Sequence, residues 1–319
     1  MSSFSIGEAY GAGFGLVVRK PLQVLVWGIV NSVLRLLPML LMFWFVGPDM
    51  IKAWGELIAN AAANGDPQNG MEGFTETMSR MQSFEALGWL MSILATAIIN
   101  AAIFRAMLRP SDGGFMHLKL GMDELWQGLI YLVAGILIAI FAVLVVLASA
   151  AIGGIVYFIG EAAGSPLGGW IKALGLIATV IGCITTIVWI WLRFSMSGPA
   201  TYDNRTFQLF ESWTLTKGHS WSLLALALLL GLTFLAIEIV LGGVFLGIFF
   251  SLGSLEALSP EAIEAFFAQA PDVWMGQAAP WIIGGGVVGS LLSGIFYTIM
   301  LAPFASVYAQ LTKTPQTAA

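Results

Sequence analysis

The run Gln127–Ala150 reads QGLIYLVAGILIAIFAVLVVLASA and carries no charged side chain over 24 residues. A hydrocarbon core ~30 Å thick takes about 20 residues of helix at 1.5 Å rise each, so this stretch is long enough to cross a bilayer. Backbone amides in lipid have no water to bond, which makes helix the conformation of the crossing. Five further runs match it in length and character: Leu22–Val46, Phe84–Leu108, Trp170–Phe194, Trp221–Ser251 and Trp281–Gln310. The expected fold is all-α, a polytopic membrane protein with six transmembrane helices in a single membrane domain spanning 1–319.

Composition agrees. Hydrophobic residues make up 58% of the chain and charged residues 10%, against about 25% charged in a typical soluble domain. Thirty-one charged side chains (13 basic and 18 acidic) cannot cover the surface of a soluble protein of 319 residues.

Basic residues set the orientation. With the N-terminus inside, the cytoplasmic segments hold Arg19, Lys20, Arg105, Arg109, Lys119, Arg193, Arg205, Lys217 and Lys313, and the opposite loops only Lys52, Arg80 and Lys172. Nine against three places both termini in the cytoplasm. The outer loops are acidic, so the net charge of -5 lies mostly outside and argues against nucleic acid as a partner. The first eighteen residues lack the basic start and small-residue cleavage site of a signal peptide, so Leu22–Val46 is expected to act as an uncleaved anchor. The only cysteine, Cys183, falls within the fourth crossing, which excludes a disulfide within the chain and a cysteine-based metal site. The expected location is a bacterial inner membrane.

An internal repeat is expected from the cytoplasmic ends of the crossings. The second ends Ile103-Phe104-Arg105-Ala106-Met107-Leu108-Arg109-Pro110, the fourth Trp191-Leu192-Arg193…Pro199, and the sixth Phe296-Tyr297…Pro303. Each proline marks a bend or stop. The amphipathic stretches Ser5–Lys20, Met116–Gln127 and Phe207–Gly218 precede crossings one, three and five, and read as short helices in the membrane surface. Three copies would cover 1–110, 111–199 and 200–303. The alternative is ordinary juxtamembrane turns, since proline and aromatic residues are common at membrane interfaces. Outside, Met50–Ala63, Met71–Met81 and Ser259–Ala268 are helical patches expected to cap the bundle, and Gly153-Gly154 is expected to break the third helix.

An enzyme reading has little support. His117 and His219 lack metal-ligand spacing, no phosphate loop or nucleophile elbow is present, and Asp123, Glu124 and Glu211 read as solvated faces of surface helices. No catalytic residue, metal or cofactor is expected. Ionisable groups inside a bilayer are functional candidates by default, and Arg35 and Glu238 qualify. Their depths along crossings one and five differ by about one helical turn, so an ion pair would relieve both; snorkelling or a protonated Glu238 are the alternatives. Asn31, one turn before Arg35, and Asn100 in the second crossing complete the intramembrane polar candidates. Arg105 and Arg193, at matching repeat positions, are candidates for holding lipid phosphate, or else simple topology anchors. Gly284–Gly286, Gly289, Ser290, Ser293 and Gly294, with Gly242, Gly243 and Gly247, allow close helix packing, within the chain or with a second copy.

The segment Arg193…Pro199…Leu209…Glu211-Ser212-Trp213-Thr214-Leu215-Thr216-Lys217-Gly218-His219-Ser220-Trp221 resembles uncharacterised bacterial multi-pass proteins grouped with the membrane domain of some glycerophosphodiester phosphodiesterases and its stand-alone relatives. The likeness covers about a third of the chain. The catalytic barrel of those enzymes is absent, so it implies association with membrane lipids and no hydrolase activity. The leading expectation is a non-enzymatic membrane protein that binds lipid or organises a complex, with membrane lipids, a second copy or another membrane protein as partners. The alternative is a transporter or lipid-translocating protein built on the intramembrane polar residues.

Overall fold

The computed structural model describes residues 4–62, 67–251 and 271–313, and among these no strand is present. The helices are α1 (Ile6–Arg19), α2 (Pro21–Ala62), α3 (Pro67–Leu108), α4 (Met122–Ala162), α5 (Leu167–Phe194), α6 (Ser197–Asn204), α7 (Glu211–Leu215), α8 (Ser220–Ser251) and α9 (Pro271–Lys313), with a 3-10 turn, Phe115–His117, between α3 and α4. Six of the described stretches are long and apolar enough to cross a membrane: Pro21–Met50, Gly73–Leu108, Phe115–Ala162, Leu167–Asn204, Ser220–Val244 and Gly284–Thr312. The chain is an all-helical protein with the architecture of a multi-pass membrane protein.

Two antiparallel hairpins, α2 with α3 and α4 with α5, hold the most extensive contacts; α9 runs along α2 and α1, and α3 joins the hairpins by packing on α4. By contrast, α8 lies mainly on α1 and meets α5 and α9 at few places. Burial is concentrated at one end of the bundle, called basal here, where the first and last described residues lie and where Ser5 N–H donates to Gln310 Oε1. Trp27, Phe104, Tyr202, Leu223 and Leu226 are fully enclosed there. Towards the opposite, distal end the helices expose Trp44, Phe45, Leu144, Phe158, Ile181 and Ile239. Such surface suits lipid, which solvates apolar side chains, and would not suit water.

Backbone approaches explain several small residues. Gly28 lies directly on the Ser290 carbonyl and Gly294 on the Val24 carbonyl, so a side chain at either position would overlap the opposite backbone. Ser293 Oγ adds a 3.4 Å bond to the Gly28 carbonyl. The small residues around Ser290–Gly294 therefore have a partner inside the chain, namely α2.

Helix α1 starts at a capped end, Ser5 Oγ accepting from Glu8 N–H at 3.3 Å. Its stripe of Ala9, Gly13 and Leu16 packs inwards. Gly13 meets the backbone of Ile299, where an added Cβ would stand 2.8 Å from Cα and 2.9 Å from the carbonyl oxygen.

Several local expectations are corrected. Pro303 does not stop the last helix, since α9 continues to Lys313. A proline removes the bond to the carbonyl four residues earlier, here Ile299, and that is the residue against which Gly13 packs. Pro199 lies within the short α6, while α5 ends earlier, at Phe194. Met116–Gln127 is not one surface helix: Met116 and His117 take left-handed φ of 53° and 61°, which no helix can continue, and α4 starts only at Met122. Phe207–Gly218 keeps a helix only over Glu211–Leu215. Gly153-Gly154 does not break α4, which continues to Ala162; the α4–α5 hairpin closes at Gly160 and Gly168, where a Cβ added to Gly160 would stand 2.9 Å from the Gly168 carbonyl oxygen and one added to Gly168 would overlap the Gly160 carbonyl. The patch Met50–Ala63 is largely an extension of α2 and Met71–Met81 part of α3. Ser259–Ala268 lies outside the described residues.

Candidate functional site

One polar cluster surrounds Arg35, midway along the apolar stretch Pro21–Met50 of α2. Asn31 and Arg35 are four residues apart on α2, and Ser92 and Thr96 four apart on α3, so each pair shares a face. The Arg35 guanidinium donates from Nε to Asn31 Oδ1 at 3.0 Å, and from its terminal nitrogens to Ser92 Oγ at 2.6 Å and Thr96 Oγ1 at 2.8 Å. Thr96 in turn donates to the Ser92 carbonyl at 2.8 Å, which leaves its oxygen lone pairs free for the arginine. The Tyr297 ring of α9 closes the cluster, its centre 5.6 Å from the guanidinium carbon.

The expected Arg35–Glu238 ion pair is not formed. Arg35 donates instead to neutral oxygens of α2 and α3, whereas Glu238 is exposed on α8. Among the described residues no ion pair involves Arg35, and the ion pairs of the chain lie elsewhere. An arginine cannot shed its proton, and leaving a charge in a bilayer without an opposite one costs roughly 3 kcal/mol or more. Ser92 and Thr96 were missed by sequence reasoning. Their signal was available: with Asn100 they form a polar stripe at i, i+4 and i+8 on α3.

Asn100 stands apart from Arg35, in a groove of about 230 Å³ between α3, α4, α5, α6 and α9. Phe104, Ile130, Trp191 and Phe304 supply apolar wall. Gln127 is fully buried beside it, and its Nε2 donates to the Gly198 carbonyl at 3.0 Å, which fixes the amide orientation. The remaining oxygen, Gln127 Oε1, and Asn100 Oδ1 are both buried with no hydrogen-bond donor among the described residues. A side chain on Gly198 would stand 3.0 Å from the Phe104 ring and 3.5 Å from Gln127 Oε1, so glycine keeps this wall open.

At the basal end Arg105, only 1% exposed, donates to Glu124 Oε1 at 2.7 Å, Asp123 Oδ2 at 3.4 Å and the His117 carbonyl at 2.6 Å. Glu124 is buried as well, which corrects its reading as part of a solvated face. Arg105 is thus enclosed by carboxylates, and a lipid phosphate would have to displace them. Trp27 Nε1 donates to the Met116 carbonyl at 2.8 Å. These two bonds present the carbonyls of Met116 and His117 inwards and hold both residues in left-handed backbone, a conformation costing about 1–3 kcal/mol each. Outside them, Asp112 bridges Lys119 at 2.9 Å and Arg205 at 3.3 Å. The hydrogen bond from the Lys119 ammonium holds the Asp112 carboxyl below its usual range, against the opposing effect of its slight burial.

Arg193 differs from Arg105. It is partly exposed and has no carboxylate partner among the described residues; its guanidinium carbon lies 5.0 Å from the Trp189 ring centre and 5.5 Å from that of Trp213. Its NH1 donates to Thr216 Oγ1 at 3.3 Å. Ser212 Oγ donates to the Arg193 carbonyl at 2.6 Å and accepts from Met196 N–H at 3.1 Å. The Ser212…Thr216 motif therefore fastens α7 to the end of α5. His219 faces Phe4 with ring centres 6.1 Å apart, and His117 belongs to the Arg105 network, so the two histidines serve different contacts. Among the described residues no three His, Cys, Asp or Glu side chains are grouped to hold a metal.

No family model, curated protein or solved structure matches this chain.

Proposed function

We propose that this chain is a non-enzymatic lipid-binding protein of a bacterial inner membrane, with both termini in the cytoplasm, and that the groove between α3, α4, α5, α6 and α9 seats a lipid. The observation that carries this reading is Gln127, fully buried, fixed by Gly198, with its oxygen unpartnered beside an apolar wall. A buried acceptor left without a donor costs about 1–3 kcal/mol. A lipid hydroxyl or amine would supply the donor, and its chain would cover the aromatic wall. The likeness of residues 193–221 to lipid-associated membrane domains supports the same class of ligand, and Arg193, partly exposed and without a carboxylate partner among the described residues, offers its guanidinium to a headgroup phosphate. The broad apolar faces of α4 and α5 also offer a surface to a second copy or another membrane protein.

Native mass spectrometry of purified protein tests this. The wild type should carry a lipid, and the Asn100→Leu/Gln127→Leu double variant should lose it. A bare wild-type chain, or equal lipid retention in both, would overturn the reading. Orientation has its own test in a Cys183→Ala background: an impermeant thiol reagent applied to intact cells should leave Asp112→Cys unlabelled. The three segments 1–110, 111–199 and 200–303 are further read as copies of one unit, each holding one pair of long apolar helices; superposition of the three helix pairs tests it.

A transport reading draws on a different observation, the cluster at Arg35. Substrate sites of many transporters lie near the bilayer midplane between packed helices.

A further inference from the structure

We propose that Arg35 is the recognition point of an intramembrane oxyanion site, taking a phosphate ester or carboxylate where α2, α3 and α9 meet. This is independent of the lipid groove at Gln127, which uses other residues.

Hydrogen-bond accounting comes first. A guanidinium has five N–H donors in a planar fork. Asn31, Ser92 and Thr96 take three of them, one at Nε and one at each terminal nitrogen. Among the described residues, one N–H on each terminal nitrogen has no acceptor. Arg35 is only partly buried, so these donors are reachable.

Charge points the same way. Every acceptor around the arginine is neutral, Tyr297 adds only a π face at 5.6 Å, and the fixed positive charge has no opposite charge in contact. A structural arginine inside a bundle is expected to be paired, as Arg105 is with Glu124 at 2.7 Å. Arg35 instead is aimed and held by three side chains from two helices, while its charge stays available. An arginine fork matches a carboxylate or phosphate better than a halide, because two oxygens can be met at once.

Depth favours an anion carried into the membrane. Arg35 lies eight residues beyond Trp27, whose indole bonds the basal loop at Met116. At 1.5 Å per residue that is ~12 Å deeper than the basal polar network. A free oxyanion reaching that depth would shed most of its hydration, whereas an amphiphile would bring its own apolar chain.

The test is calorimetric titration of purified protein in a neutral detergent with dodecyl phosphate, laurate and inorganic phosphate. Wild type should bind at least one of the three saturably, and Arg35→Gln should weaken that binding ten- to hundred-fold. Arg35→Lys, which keeps the charge and loses the fork, should fall between them, and it decides the matter if Arg35→Gln does not fold. Arg80→Gln, at an exposed distal ion pair, should bind like wild type. Preference for dodecyl phosphate over inorganic phosphate identifies a lipid-like source; equal binding identifies the free anion. No saturable binding by wild type, or affinities unchanged in both Arg35 variants, would sink the proposal.

Discussion

Gly13 of α1 packs directly on the backbone of Ile299 in α9, the residue whose carbonyl loses its helical partner to Pro303. The two features fit together. A proline inside a helix frees the carbonyl four residues back, and only a residue without a side chain lets a second helix approach that carbonyl closely.

Enlarging Gly13 should therefore detach α1. In Gly13→Val the side chain would collide with rigid backbone, and overpacking of this kind costs about 1–3 kcal/mol. The Tyr10–Thr233 hydrogen bond at 2.7 Å should be lost with the docking. Hydrogen exchange of residues 6–19 reports on it: protection should be high with Gly13 and lower with Gly13→Val. Equal protection in both would show that α1 docks by other means.

The Arg105–Glu124 pair yields a second expectation. Arg105→Met alone strands a carboxylate that is 5% exposed and frees the His117 carbonyl, and breaking a buried pair from one side costs about 3–5 kcal/mol. Arg105→Met/Glu124→Leu should be closer to wild type than Arg105→Met, because no lone charge remains. Thermal unfolding of wild type, Arg105→Met, Glu124→Leu and the double variant in one detergent measures the coupling. Additive losses would show that the two side chains act separately.

Acid should loosen the loop between α3 and α4. The Asp112 carboxyl is held below its ordinary 3.8 by the Lys119 hydrogen bond. A depressed carboxylate contributes stability above its unfolded value and loses it as pH falls through the folded one. Hydrogen exchange of residues 110–121, corrected for intrinsic rates, should thus show constant protection above about pH 5 and less as the pH drops below 3.8. In Asp112→Asn that acid step should vanish.

The crossings were legible because length and polarity alone decide them. A bilayer demands about 20 apolar residues, and few other structures use such runs. The Asn31–Arg35 pairing was legible too, since i,i+4 spacing fixes a shared face. The partners on α3 were not singled out, although Ser92, Thr96 and Asn100 repeat at helical spacing, because single hydroxyls are common packing groups in membrane helices. Matching Arg35 to Glu238 by depth failed for a related reason: depth along a helix says nothing about which face or which neighbour a residue meets. Glu124 and the Met116–His117 turn were beyond reach for another cause. Both depend on Arg105 turning inwards, a tertiary choice that local amphipathicity does not encode.

The concentration of buried side chains at the basal end has a mechanical meaning. With interlocking contacts gathered there, the bundle is clamped at one end, and the distal spacing of its arms is balanced against the lateral pressure of surrounding lipid. The bilayer is then a structural component of the fold rather than its container. Thickness and acyl composition would set the separation of α8 from its neighbours, since among the described residues this long helix meets them only sparsely, much as the tension of a skin sets the spread of the ribs beneath it.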